Sequence, residues 1–289
     1  MEQKTFALKG NIIYTKERTR FEVMEQGWLV CEEGRVRDVY SVLPEELKGI
    51  PVEDMEDRLI IPGLTDLHIH APQYTFRSLG MDMELLEWLE TNTFPEESKY
   101  KDAENAKKAY GMFAEQLKKS ATVRACIFGT IHNEATLILM DLLEEAGLHT
   151  MVGKVNMDRN SPDYLCEPSA EASAQATREW LKAVADRKYK HTRPILTPRF
   201  TPSCTDELME LLKGIQTETH LPVQSHLSEN PGEIAWVKEL CPWSEFYGDA
   251  YDKFGLFGGD CPTVMAHCVY SGKEEMALMK EKGVFVAHC

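Results

Sequence analysis

The chain has 289 residues, 43% hydrophobic and 27% charged, enough apolar material for one large α/β domain or two smaller ones. Its 32 basic residues against 47 acidic ones leave a formal charge of −15 with no basic block. That balance argues against a nucleic-acid or anionic-membrane surface and makes a neutral or small cationic ligand the easier partner.

The first 58 residues carry short alternating runs, FALKGNIIY, GWLVCEEGRVRDVY and PVEDMEDR, broken by Gly and charged turns. They predict small antiparallel strands, the N-terminal portion (1–58) of a small β-sandwich-like domain. From Leu59 to Cys289 the texture becomes strand followed by helix. Strand-like runs fall at 59–70, 124–131, 150–157, 194–200, 222–227, 263–268 and 283–288, with amphipathic stretches between them. Ser169 and Thr205 stand at cap-like positions ahead of two of those stretches.

Seven such units predict an α/β fold, a (β/α)8 TIM-type barrel that stops after strand 7 over residues 59–289. A doubly wound open sheet is the alternative, but its G-x-G-x-x-G and the G-x-x-x-x-G-K-[ST] loop are both missing. Eight scattered cysteines without a C-x-x-C pair, a charged N-terminus unlike a secretory leader, and no long apolar run predict a reduced, cytoplasmic protein.

The histidines carry the chemistry. His68 and His70 are two apart in a strand and therefore project to one side, at its C-terminal end. His226 and His267 end the fifth and sixth predicted strands. Barrel enzymes place their chemistry at this end, so four imidazoles converge on one mouth and suit Zn²⁺ or another borderline metal. A single histidine at a strand end is more often a hydrogen-bonded core residue; the combination is what points to metal. His132 follows the second strand and is expected near the mouth. His149, His191 and His220 precede strands and read as structural, and His288 stays open. Glu229, three residues past His226, is a surface-loop carboxylate or the acid/base partner of a metal-activated water.

The stretches PGLTDLHIHAPQY, PILTPRF, QSHLSEN, TVMAHC and VAHC together resemble the amidohydrolase superfamily, and within it the branch that deaminates guanine. H-x-H is common to the superfamily, whereas APQY, LLEWLETNTFPEE, VGKVNMD, TPRF and SHLSEN are narrower. The resemblance implies one metal per chain, zinc with ferrous iron as the alternative, held by His68, His70, His226 and His267 plus an aspartate after an eighth strand. It implies substrate contacts from His70, Gln73, Arg199, Phe200, His226 and Glu229, with Glu229 catalytic. The implied reaction is hydrolysis of guanine to xanthine and ammonia, and the implied assembly a homodimer.

The sequence departs from the pattern at AHCVY, where a glycine commonly follows the histidine, at SATVRA, and at its end, where the eighth strand and its aspartate do not appear. Two other readings follow: an amidohydrolase acting on another aminopurine, pterin or triazine, and a non-catalytic fragment. The H-x-E and P-C-x-x-C signature of the other zinc deaminases is absent.

Overall fold

The computed structural model describes residues 5–289, which divide into two compact units, one ending at Gly63 and one running Leu64–Cys289. In the first unit β1 (Phe6–Glu17), β2 (Arg20–Glu32), β3 (Arg35–Tyr40) and β4 (Val52–Ile60) form one sheet in the order β3-β2-β1-β4. The first three strands are antiparallel, as their tight charged turns dictate, but β4 runs parallel to β1. The longer 41–51 connection permits that return. Its 3₁₀ turn drops Leu47 onto Ala7 and Val30, the small core of this unit.

The 59–70 run is two strands rather than one. Leu59 and Ile60 finish β4, then Pro62, with no N–H to offer a ladder, interrupts the pairing before β5 (Leu64–His70).

Strand and helix then alternate. After β5 come the short helices α1 (Leu85–Trp88) and α2 (Phe94–Ser98), joined by a π-turn over Leu89–Thr93, and then α3 (Ala103–Lys118). There follow β6 (Thr122–Phe128), α4 (Asn133–Ala146), β7 (His149–Gly153), β8 (Val155–Asn156), α5 (Ala170–Arg187), β9 (Thr192–Pro194), β10 (Thr197–Pro198) and α6 (Asp206–Thr219). The chain closes with β11 (Val223–Leu227), α7 (Pro231–Leu240), α8 (Asp249–Asp252), β12 (Thr263–His267), α9 (Lys273–Lys282) and β13 (Phe285–Ala287).

Every strand pairing in this unit is parallel. The sheets run β5-β6-β7-β9, β8-β10 and β11-β12-β13, and a bridge from Leu196 to Val223 links β9–β10 to β11. This is the α/β fold with parallel sheets that strand–helix alternation predicts. Two expected strands, 150–157 and 194–200, are each split. A Cβ on Gly153 would collide with Thr197 Oγ1, so glycine lets β10 approach while the ladder breaks beside it.

The helices begin where their caps predict. Ser169 Oγ accepts from Ala172 N, Thr205 Oγ1 accepts from Leu208 N, and Asn230 with Glu233 forms a capping box at α7. On α3, Ala106, Ala109, Tyr110, Phe113 and Leu117 form one buried face, packed with Leu139 and Leu143 of α4 and with Ile127 and Val152 of the sheet. No described helix is long and apolar enough to cross a membrane.

Candidate metal centre and substrate cavity

Four imidazoles meet at the C-terminal ends of three strands. His68 and His70 close β5, whose register slips between Asp66 and Ile69, a bulge that re-aims the last residues of the strand. His226 lies opposite Ala266 and His267 opposite Leu227 in the β11–β12 ladder, one step out of phase, and with His267 at φ +73° its ring comes to lie nearly parallel to that of His226, 5.4 Å away by centroid. His68 is 4.9 Å, 4.8 Å and 5.0 Å from His70, His226 and His267 by ring centroid. Ligand atoms of His68, His226 and His267 all fall within 4.8 Å of one another, and His70 joins through its Nε2, 3.0 Å from His226 Nε2.

The hydrogen bonds decide how these rings point. His226 Nδ1 is 2.6 Å from the Arg199 carbonyl oxygen, which can only accept, so Nδ1 carries the proton and the Nε2 lone pair faces the cluster. With no cation, His70 Nε2 would have to donate to that lone pair, leaving His70 Nδ1 a buried acceptor with no partner. A cation would take both Nε2 lone pairs and leave the His70 proton on Nδ1, which faces Glu97 Oε1 at 4.0 Å. Two Nε2 atoms 3.0 Å apart are close enough for one borderline divalent cation to be held by both. The donor set fits a borderline divalent metal.

Burial and the neighbouring charges hold all four rings neutral, the ligand-competent form. Burial is the main cause in each. It lowers His68 to about 3 and His267 to about 4, and places His70 and His226 well below the ordinary imidazole value.

The backbone on the β11–β12 side is tied down. Tyr251 Oη donates to His226 O at 2.7 Å and accepts from Ser225 Oγ at 2.9 Å and from Thr201 N at 3.2 Å. His267 and Cys268 both sit at positive φ, +73° and +56°, held there by Cys268 N donating to Leu227 O at 2.8 Å.

Glu229 Oε2 lies 3.3 Å from His267 Nε2. Burial, and then the negative charge of Glu233, push its carboxyl up to about 8. Glu233 in turn accepts from Glu229 N at 3.0 Å and from Tyr247 Oη at 2.9 Å, so the loop that carries Glu229 is braced from beneath.

Beside the cluster opens a cavity of about 430 Å³, whose wall includes Gln73, Arg199, Phe200 and Glu229 with all four histidines. Gln73 arrives on the 3₁₀ turn Ala71–Phe76, anchored by Tyr100 Oη donating to Pro72 O at 3.0 Å. Arg199 and Phe200 follow β10, both buried. His68, His70, Gln73, Arg199, Phe200, His226, Glu229 and His267, the metal, substrate and catalytic residues that the resemblance implies, all line this one cavity.

His132 does not reach the cavity. It caps α4, its N–H donates to Thr130 Oγ1 at 3.1 Å, and its Nε2 is buried without a partner. His149 and His191 pack on each other 5.0 Å apart at the opposite strand ends, His220 closes α6, and His288 is exposed. Sequence reasoning passes over Glu97, buried on α2, whose carboxylate grips Arg199 Nη1 at 2.6 Å and Nη2 at 3.2 Å. It also passes over Trp88 and Leu89 in the wall and over Tyr251 beneath it. The stretch LLEWLETNTFPEE, which holds Glu97, Trp88 and Leu89, carries the resemblance but gives none of them a role.

Residues 59–289 match the Amidohydrolase family model. The chain belongs to the amidohydrolase family. That family is generally metal-dependent, and the structure brings His68, His226 and His267 into a group that could hold a metal ion. Among proteins similar to this amidohydrolase are the guanine deaminase of Dictyostelium discoideum, 37% identical over 97% of this chain and 66% of its own length, and that of Mus musculus, 37% identical over 97% and 58%. A crystal structure of guanine deaminase from C. acetobutylicum with guanine bound in the active site superposes with a TM-score of 0.94 at 47% identity, covering 99% of this chain and 67% of that one. The present amidohydrolase thus spans about three-fifths to two-thirds of the length of the curated relatives named here.

Proposed function

We propose that this chain carries the metal and substrate site of a hydrolytic guanine deaminase. One observation carries the reading: a cavity in which an imidazole cluster, a carboxyl group, an amide, a guanidinium and an aromatic face converge within a family whose similar members act on guanine. Each group has a use on a flat, hydrogen-bonding heterocycle. Gln73 offers both a donor and an acceptor to a purine edge. Arg199 keeps N–H donors beyond those engaged by Glu97 and directs them at a ring carbonyl, while Phe200 supplies a stacking face.

His68, His70, His226 and His267 hold the metal in this reading, zinc, with ferrous iron as the alternative. A bound divalent cation supplies water of lowered pKa, about 7, so that a nucleophile is available at neutral pH. Glu229 is the proton carrier: with its carboxyl raised to about 8 it holds a proton at neutral pH, gives it to the ring nitrogen, and then passes the proton of the added hydroxyl to the departing amine. The new C2–O bond replaces the C2–N bond, so guanine and water become xanthine and ammonia.

The reading extends to architecture, a (β/α)8 TIM-type barrel that runs only to its seventh strand over residues 59–289, preceded by part of a β-sandwich-like domain over 1–58. The parallel sheets and the span of the family match support it. Eight free thiols favour a reducing, cytoplasmic setting, and a homodimer is the assembly to look for by light scattering.

The test combines elemental analysis of purified protein with calorimetric binding and ammonia release, using guanine, a pterin and an aminotriazine. About one metal per chain and preferential binding of guanine are expected. Metal-loaded protein that binds the pterin or the triazine in preference to guanine would sink the substrate assignment.

A further inference from the structure

Arg199 is the one cation in the cavity wall that is deeply buried, at 2% exposure, and its charge is matched from behind. Glu97, 1% exposed, lies outside the wall and places both carboxylate oxygens on the Arg199 fork. The ring of Phe94, three residues before Glu97, lies 5.4 Å from Arg199 Cζ and limits the guanidinium's freedom. Among the described residues, the Arg199 side chain hydrogen-bonds to no other group. The same Glu97 Oε1 stands 4.0 Å from His70 Nδ1, so one carboxylate backs both the substrate-facing cation and a metal-facing imidazole.

We propose that Glu97 is a positioning residue that sets the charge preference of the cavity: by cancelling and fixing Arg199, it makes the site select neutral oxopurines over their anions. This rests on the guanine reading above.

An unpaired buried guanidinium is a strong anion receptor, because charge-assisted hydrogen bonds are about twice as strong as neutral ones. Paired with Glu97, Arg199 presents oriented N–H donors without a net charge. The consequence falls on product release. Hydrolysis replaces the exocyclic amine of guanine by a second carbonyl, and the product is a more acidic oxopurine whose anion a bare guanidinium would retain. Glu97 removes that trap while keeping the donor geometry that the substrate needs.

The experiment measures binding to metal-loaded protein by calorimetry, so it does not depend on turnover. The probes are guanine and urate, the latter an oxopurine that is anionic at neutral pH. Wild-type protein is expected to prefer guanine. Glu97→Gln keeps the shape and removes the charge, and is expected to shift the urate-to-guanine affinity ratio toward urate by about tenfold or more. The double variant Glu97→Gln/Arg199→Gln, which has no buried charge left over, is expected to lose that gain.

Glu97→Asp keeps the charge on a shorter arm; it should weaken guanine binding yet leave the neutral preference intact. That keeps the idea testable if Glu97→Gln does not fold. An unchanged ratio in folded Glu97→Gln, a gain that survives in the double variant, or a shift toward urate in Glu97→Asp would each overturn the proposal while leaving the guanine reading standing. Wild-type protein that binds neither purine overturns both.

Discussion

The two halves of the imidazole cluster are built differently. On the β11–β12 side, His226 has its Nδ1 proton committed to the Arg199 carbonyl, its own carbonyl held by Tyr251, and a neighbour, His267, locked into positive φ. On the β5 side, His68 and His70 come from a bulged strand end, and both Nδ1 atoms are buried without a hydrogen-bond partner. One half is oriented by protein alone; the other is completed by what it binds. A site assembled this way can admit its metal through the loose half while the firm half sets the geometry.

Removing the metal is the strongest way to break that contrast. At a metal activity a hundred times its dissociation constant, binding stabilises the fold by about 2.7 kcal/mol, and chelation should remove that amount. The loss should not be uniform. Hydrogen exchange followed by mass spectrometry is expected to rise most over residues 64–76 and least over 223–229. Equal deprotection of the two segments, or greater deprotection of β11, would contradict the asymmetry. A smaller effect should come from Tyr251→Phe, which strips the hydroxyl from Thr201 N, Ser225 Oγ and His226 O. Ser225 Oγ keeps the Pro198 and Arg199 carbonyls as acceptors, but leaving Thr201 N and His226 O short of a partner is expected to cost about 1–3 kcal/mol in denaturant unfolding. Metal affinity should fall about tenfold, in the range typical of residues behind the ligands. Tyr251→Phe with wild-type metal affinity would mean that β11 orients His226 without the hydroxyl.

The firm half was the more legible of the two in the sequence. PVQSHL and TVMAHC are short runs that each carry one histidine next to last, and both form parallel strands with the histidine at or beside the C-terminal end. The pair His68 and His70 was equally plain from period two, but the bulge before them was not, because nothing local in LTDLHIH marks a register slip. Caps at Ser169 and Thr205 were readable because capping is a local interaction between neighbours. The splitting of strands at Gly153 and Thr197 was not, since it arises from two segments meeting across the sheet. Glu97 was hidden for the same reason: its partner lies 102 residues away, and the turn that aims it is an irregular π-turn between two short helices. The place of His132 was not legible: its position after a strand points toward the cavity, whereas the residue sits at the N-cap of α4 and its ring stays outside the cavity wall.

The smallest expected effect probes the strain on the firm side. In AHCVY the residue after His267 is a cysteine, and Cys268 has φ +56°, a region that costs a residue with a Cβ about 1–2 kcal/mol. Cys268→Gly removes that cost but adds backbone freedom to the unfolded chain, worth about 0.5–1 kcal/mol in the other direction. It also gives up a partly buried thiol. Cys268→Ala gives up the thiol as well and keeps the strained Cβ. The comparison of the two variants therefore isolates the backbone: the glycine protein should be the more stable by about 0.5–1 kcal/mol in denaturant unfolding. If the alanine protein is the more stable, the left-handed backbone at 268 is not a store of strain. The rigidity of the β12 end must then come from the ladder to Leu227 and from Tyr270 N donating to Ser228 O at 2.9 Å.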